Sequence, residues 1–519
     1  MPFILDNIAV LFIASVVCGL GWLFGGRDQV LLLKVIPWLT VFMVEVALCF
    51  PQRHSGESTA HARSRAWSAM KKDPLVWTTL GFLALLLIPF LNTGLCPDCD
   101  KVLIDQGHSP APPFSLLPFC VDRIRHLNVV MWFAPSLLAM LAARHALVER
   151  GRRTLIEAIV WNGAAMALLG FVQQVTDAPG PLWRPFPDGV RVYFFSTFGY
   201  PNMAGCYFAT VFCLSVAAWR RRADDVHQDI EKTNAGRRFA RHRLFWMKHF
   251  MMIPSILCLF ATMDTLSRAA IILVASAAAI LFVHAAVTTL AKMKKADRVR
   301  ALAFCGLALI VLAIIASGFM PDSVQKEMHT VDTREALDRV TGRGEYHSKV
   351  AMEIWREHAA FGVGGWGYVH FSPLKLPPRK YWAPGSANVH NDHLQFLVEH
   401  GFVGYLLLVA IVAMLLGPTC STWIRLSKAT RFLPANRRPP PPQALFALPA
   451  PAFAVLVAAA IPVIHAFGDC PFRSAAVMSL FFTMLACIDG YLPRDAASDD
   501  QPSDVESRHR RHHHHHHSN

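Results

Sequence analysis

The chain has 519 residues, of which 54% are hydrophobic and 17% charged, and its mean hydropathy is positive. This composition excludes a soluble multidomain protein and fits a polytopic membrane protein. The formal charge of +14 would point to nucleic acid in a soluble chain, but here the basic residues cluster in short connections between apolar runs and report topology instead.

Apolar windows of roughly 20 residues, the length a membrane helix needs, fall near 3–24, 29–50, 75–93, 127–147, 155–176, 196–219, 250–265, 268–290, 301–320, 394–417, 448–468 and 472–491, about twelve in all. The first run lacks a small-residue cleavage pattern and reads as a membrane helix, not a signal peptide. The expected fold is therefore all-α, with about twelve spans. Residues 1–320 hold the first nine, 321–393 a long outer loop with short amphipathic helices, 394–491 the last three, and 492–519 a disordered cytoplasmic tail. That tail ends in RHRRHHHHHHSN, which resembles a purification tag and carries no metal argument.

Lysine and arginine set the orientation. They crowd Arg53 to Lys72, Arg144 to Arg153, Arg220 to Lys248, Lys292 to Arg300 and Arg425 to Arg438, which is every second connection. The positive-inside rule places these segments and both termini in the cytoplasm. The alternate loops then face outward. In the longest of these, EYHSKVAMEIWREHAAFG repeats Tyr346, Val350, Ile354 and His358 at helical spacing, which predicts a surface helix ending at Gly362. Glu353 and Glu357 fall on its wet face. The following GVGGWG lacks the strand, helix and lysine of a phosphate-binding loop. CPDC at Cys96 to Cys99 lies in an outer loop, where a stabilising disulfide is expected, with Cys120 as a further partner.

Ionisable residues are costly in a membrane unless they face a cavity or do chemistry, yet VHNDHLQFLVEHGFVG opens a span with His390, Asn391, Asp392 and His393. Other polar groups stand where helices enter from the same side: Asn202 in FGYPNMAG, Ser267 and Arg268 in TLSRAA, and Asp469 and Arg473 in FGDCPFRSAA. Arg184, Arg191, Arg334, Arg339 and Arg343 lie in outer loops, against the positive-inside bias. A histidine can take a proton from an attacking hydroxyl, and arginines can hold a departing pyrophosphate. Together they suit displacement at a carbon whose leaving group is a lipid pyrophosphate, with no metal and no cofactor. His390, Asp392 and His393 also look like a ligand cluster, but no HExxH helix and no marked third ligand accompany them. A secondary transporter would suit the span count and would need a midplane site between repeats; no repeat is visible.

HNDHLQFLVEHGFVG, with His390, Asn391, Gly401 and Gly404, resembles the signature of the bacterial O-antigen ligases within the O-antigen ligase and polymerase superfamily. SRAA at 267–270, the PN of FGYPNMAG, TGR at 341–343 and WREHAAFGVGGWG agree with it, over about residues 196–410. Tyr405 and Leu406 stand where ligases often carry two threonines. The resemblance implies an inverting, metal-independent glycosyltransferase of the bacterial inner membrane with a periplasmic active site. Its donor would be an undecaprenyl-pyrophosphate-linked glycan. Its acceptor would be lipid A-core for a ligase, or a second lipid-linked repeat for a polymerase. His390 would then be the base, and Arg268 and Arg343 would grip the pyrophosphate. Arg191, Arg184 and Arg339 would join them by position. Asn391 would hydrogen-bond the histidine or the sugar, Asn202 and Ser267 would give polar support, and Gly401 and Gly404 would allow close helix packing.

Overall fold

The computed structural model describes residues 2–23, 25, 34–95, 112–114, 116–185, 193–232, 249–290, 347–375, 388–431 and 447–492. Among them the longer elements are α1 (Pro2–Trp22), α2 (Ile36–Cys49), α3 (Thr59–Lys72), α4 (Pro74–Leu87), α5 (Arg123–Ala146), α6 (Glu149–Val175), α7 (Pro201–Lys232), α8 (Met252–Asp264), α9 (Arg268–Leu290), α10 (residues 347–357), α11 (Gly367–Lys375), α12 (Asp392–Arg431), α13 (Ala450–His465) and α14 (Ala475–Cys487). No strand occurs among the described residues. Among the described residues, six helices are long and apolar enough to cross a membrane: Pro74–Leu91, Arg123–Ala146, Glu149–Val175, Pro201–Asp225, Arg268–Leu290 and Asp392–Lys428. Five shorter apolar helices stand at further expected positions, and the segment 301–320 lies outside the described residues.

Side-chain caps fix where several helices begin. Asp73, Asp122, Asn391 and Ser474 accept backbone N–H groups from the first turns of α4, α5, α12 and α14, which satisfies donors that hydrocarbon could not. The core centres on α14, whose residues are all buried. It packs against α5, α1 and α13, while α7 packs against α8 and α13. Apolar residues also face outward, among them Trp38, Ile272, Val283, Phe402, Leu406 and Val409, as on a surface solvated by lipid.

The two ends of the bundle differ. At one end the C-terminus of α5, the start of α6, α7 and the segment after α14 form an ion-pair network. It includes Arg144 with Asp73 at 3.0 Å, Arg152 with Asp489 at 3.5 Å, Arg221 with Asp225 at 3.4 Å and Arg222 with Glu157 at 3.4 Å. These arginines belong to the basic connections singled out in the sequence. At the other end Thr197 Oγ1 and Ser474 Oγ donate to the carbonyls of Gly21 and Gly25 at 2.6 Å each, tying the segments before α7 and α14 to the end of α1.

α12 is broken at Gly401, with φ 64° and ψ −176°. A break in a membrane helix strands backbone carbonyls and N–H groups. The segment 359–364 takes them up: Val363 N donates to Val398 O at 3.0 Å, Gly364 N to Glu399 O at 2.9 Å, Phe402 N to Ala359 O at 2.8 Å and Val403 N to Ala360 O at 3.1 Å. The glycine-rich stretch is therefore a backbone clamp on α12. Its Gly362 and Gly364 also sit at positive φ, 71° and 79°. α10, expected to lie on the membrane surface, buries Val350 and Ile354 against protein, beside Phe119, Val363, Tyr368 and Val398. Glu353 and Glu357 are on its exposed face as expected.

A Cβ at position 401 would lie 2.3 Å from Ala360 O, whereas one at 417 meets nothing within 4 Å. Gly401→Ala is expected to cost about 1–3 kcal/mol from clash and strained backbone, read as a lowered melting temperature in detergent, with Gly417→Ala unchanged or slightly more stable. Equal melting temperatures for the two variants would remove the clamp.

Candidate active site

His390 sits just before α12 in a left-handed conformation, φ 55°. Such a conformation is uncommon for a non-glycine residue and marks a position that the surroundings over-determine. The following turn of chain is held firmly. Asn391 Oδ1 accepts Leu394 N at 3.0 Å, and Asp392 N donates to Ala466 O at 2.9 Å. Asn391 Oδ1 thus caps the helix, a use beyond the histidine or sugar contact expected for this residue.

His390 keeps 44% of its side chain exposed and points Nδ1 at Asp469 Oδ1, 3.4 Å away, in the turn between α13 and α14. Asp469 is buried and accepts from several groups: Cys470 N at 2.8 Å, Tyr200 OH at 3.1 Å, Asn202 Nδ2 and the Cys470 thiol at 3.3 Å. Burial pushes the pKa of this carboxyl up, but the hydrogen bond from His390, the nearby His465 and the Cys470 N–H outweigh it and hold Asp469 below the usual carboxylate range. An ionised carboxylate only accepts. Nδ1 of His390 is therefore the donor, and Nε2 carries the free lone pair.

Asp392, Gln395 and Glu399 recur at one face of α12 and turn away from His390. Asp392 Oδ2 accepts Phe472 N at 2.7 Å, Arg473 NH2 lies 2.7 Å from Glu399 Oε2, and Gln395 Nε2 donates to Glu399 Oε1 at 3.0 Å. Arg473 is buried, with its guanidinium 5.1 Å from the Trp366 ring and 5.8 Å from that of Trp132. It braces α12 against the segment that leads into α14. His393 Nε2 lies 3.0 Å from Val463 O and its Nδ1 3.3 Å from Tyr405 OH. His390, Asp392 and His393 diverge to three different partners and form no common ligand centre.

Among the other residues expected at the site, Asn202 meets His390 on the shared carboxylate of Asp469. Ser267 caps α9 through Ala270 N at 3.4 Å, and a Cβ on Gly205, in the first turns of α7, would touch both Ser267 and Ala270. Arg268, the first residue of α9, is thereby brought to the end of α7 that bears Asn202. Arg184 is exposed in the loop after α6, and Tyr193 further along donates to Asp264 O beside the start of α9. Arg191, Arg339, Arg343, Cys96 and Cys99 lie outside the described residues. Cys120 is a free, buried thiol 3.3 Å from Pro89 O.

Residues 253–409 match the O-antigen ligase family. The match spans less than a third of the chain, from α8 into α12, and contains Arg268, His390 and Asn391. The match supports a glycan-transfer function in O-antigen assembly, and with the apolar helices it supports a membrane location. No curated protein matches the chain. Tyr200, Asn202 and Asp469, which complete the histidine's surroundings, lie outside the matched segment. Asp469 stood out in the sequence only as polar punctuation before a span, and its pairing with His390 across 79 positions has no local signature.

Proposed function

We propose that the chain is an inverting, metal-independent glycosyltransferase that moves an undecaprenyl-pyrophosphate-linked glycan to an acceptor hydroxyl at the periplasmic face of the inner membrane, as an O-antigen ligase using lipid A-core. The observation that carries this reading is the half-exposed His390 oriented by the buried Asp469 at the end of the bundle opposite the basic ion-pair network. With that network cytoplasmic, as the positive-inside rule requires, twelve spans put both termini in the cytoplasm and His390 outside.

In the proposed step, His390 Nε2 takes the acceptor hydroxyl's proton as the oxygen attacks the anomeric carbon from the face opposite the pyrophosphate. The carbon–oxygen bond to the pyrophosphate breaks, and its electron pair leaves with the lipid diphosphate. Asp469 stabilises the imidazolium through Nδ1–H. Arg268, with Arg343, Arg191, Arg184 and Arg339, neutralises the charge on the leaving group. Ser267 positions Arg268 at the start of α9, and Asn202 positions Asp469.

Incubation of the purified protein with an undecaprenyl-pyrophosphate glycan and either lipid A-core or a second lipid-linked repeat tests the reading. Sugar is expected on lipid A-core. Transfer only to the second lipid-linked repeat would make the chain a polymerase, the reading that Tyr405 and Leu406 in place of threonines leave open. Transfer to neither, with solute counterflow in vesicles, would make it a transporter.

A further inference from the structure

Cys470 has no part in the proposed transfer, yet its thiol lies beside the His390–Asp469 pair. Nδ1 of His390, an Asp469 oxygen and the Cys470 Sγ all lie within 4.8 Å of one another. Two of the separations are 3.4 Å, nitrogen to oxygen, and 3.3 Å, sulfur to oxygen. A tetrahedral zinc ion, with bonds of about 2.0–2.1 Å to nitrogen and oxygen and about 2.3 Å to thiolate, sets its ligands about 3.3 and 3.5 Å apart on these edges. The two edges that meet at Asp469 Oδ1 therefore already stand close to the spacing of such an ion's first ligands, and the third, from His390 to Cys470, is at most 4.8 Å. Asp469 is held in place by Tyr200, Asn202 and Cys470 N, so the carboxylate needs no rearrangement. Of the three ligand residues, His390 is exposed and Asp469 and Cys470 are buried. Histidine, carboxylate and thiolate together favour a thiophilic d10 cation over magnesium or calcium.

We propose that His390, Asp469 and Cys470 form an inhibitory site for a thiophilic divalent cation such as Zn2+ or Cd2+. The ion takes Nδ1 of His390, one oxygen of Asp469 and the Cys470 thiolate, whose proton passes to water. Coordination through Nδ1 moves the imidazole proton to Nε2. The ring then has no lone pair for the acceptor hydroxyl, and transfer stops. The inhibitory consequence rests on the proposed role of His390; occupancy of the site does not.

The test uses Cd2+ added to the full-length protein in detergent, read by the ultraviolet thiolate-to-cadmium absorption and, in parallel, by glycan transfer. The histidine-rich tail binds Cd2+ as well but gives no thiolate band. Cys470→Ser is expected to lose the Cys470-dependent part of the band and, measured against its own metal-free transfer, to require at least about tenfold more Cd2+ for inhibition. His390→Gln, at a half-exposed position, is expected to raise the Cd2+ needed for the band by about tenfold. A band unchanged in both variants overturns the site, even if transfer itself is never observed. A band lost in Cys470→Ser while inhibition of transfer is unchanged overturns the inhibitory role.

Discussion

His390→Ala is expected to lower glycan transfer by about 10²–10⁴-fold, the range for loss of a general base, while the protein still inserts and melts at an unchanged temperature. The side chain is half-exposed and its one polar contact among the described residues is the 3.4 Å contact to Asp469, so little packing is lost. Asp469→Asn separates orientation from proton transfer. The amide keeps the shape, but it removes the charge that stabilises the imidazolium, and its NH2 group, if turned toward Nδ1, favours the wrong tautomer. A loss of about 10–10³-fold is expected, with donor binding intact. Because Asp469 is held below the usual carboxylate range, the stability its ionised form contributes is present above the unfolded carboxylate value and is lost as pH falls through the lower folded one. A decline of rate at mildly acidic pH therefore does not report Asp469. Transfer retained in His390→Ala would remove the histidine from the base role.

The helices were legible because hydrocarbon imposes the same requirement on every span, an apolar run of set length whose backbone bonds close internally. Among the described residues, eleven apolar helices stand where the hydropathy placed them. The polar residues were legible as anomalies but not as pairs. His390, Asp392, His393, Glu399 and His400 share one short stretch, yet their partners are Asp469, Arg473, Val463 O and the rings of Phe82, Phe133 and Phe396. Most of these are separated from them by scores of residues, at distances no local pattern encodes. Gly401 shows the same limit. Its spacing to Gly404 read as helix packing, which holds for Gly404, whose Cβ would meet His400 and Leu85. At Gly401 the requirement is instead a positive φ and close approach of the backbone at Ala360, and neither leaves a trace in periodicity. The cap that Asn391 Oδ1 makes on Leu394 N is a second use of its side chain that the sequence does not separate from a substrate contact, because both use the same chemistry.

Arg473→Ala is expected to produce a large loss of stability, about 3–5 kcal/mol, seen as a lower melting temperature in detergent. Asp392 and Glu399 are both fully buried and Arg473 lies between them, 2.7 Å from Glu399 and 3.9 Å from Asp392. Removing the cation leaves two carboxylates in a low-dielectric interior, where each must be neutralised or hydrated. The triple change Arg473→Met, Asp392→Asn and Glu399→Gln is expected to recover much of that loss, because the unpaired charge, not the missing contact, is the main cost. The outcome bears on function as well. Asp392 N bonds Ala466 O and its carboxylate bonds Phe472 N, so the same network sets α12 against the turn that carries Asp469. A triple variant that refolds with weak transfer, restored in no way by higher donor concentration, is the pattern expected if this bracing fixes the His390–Asp469 geometry. A single Arg473→Ala variant as stable as the native protein would show that the buried ion pair does not hold α12 in place.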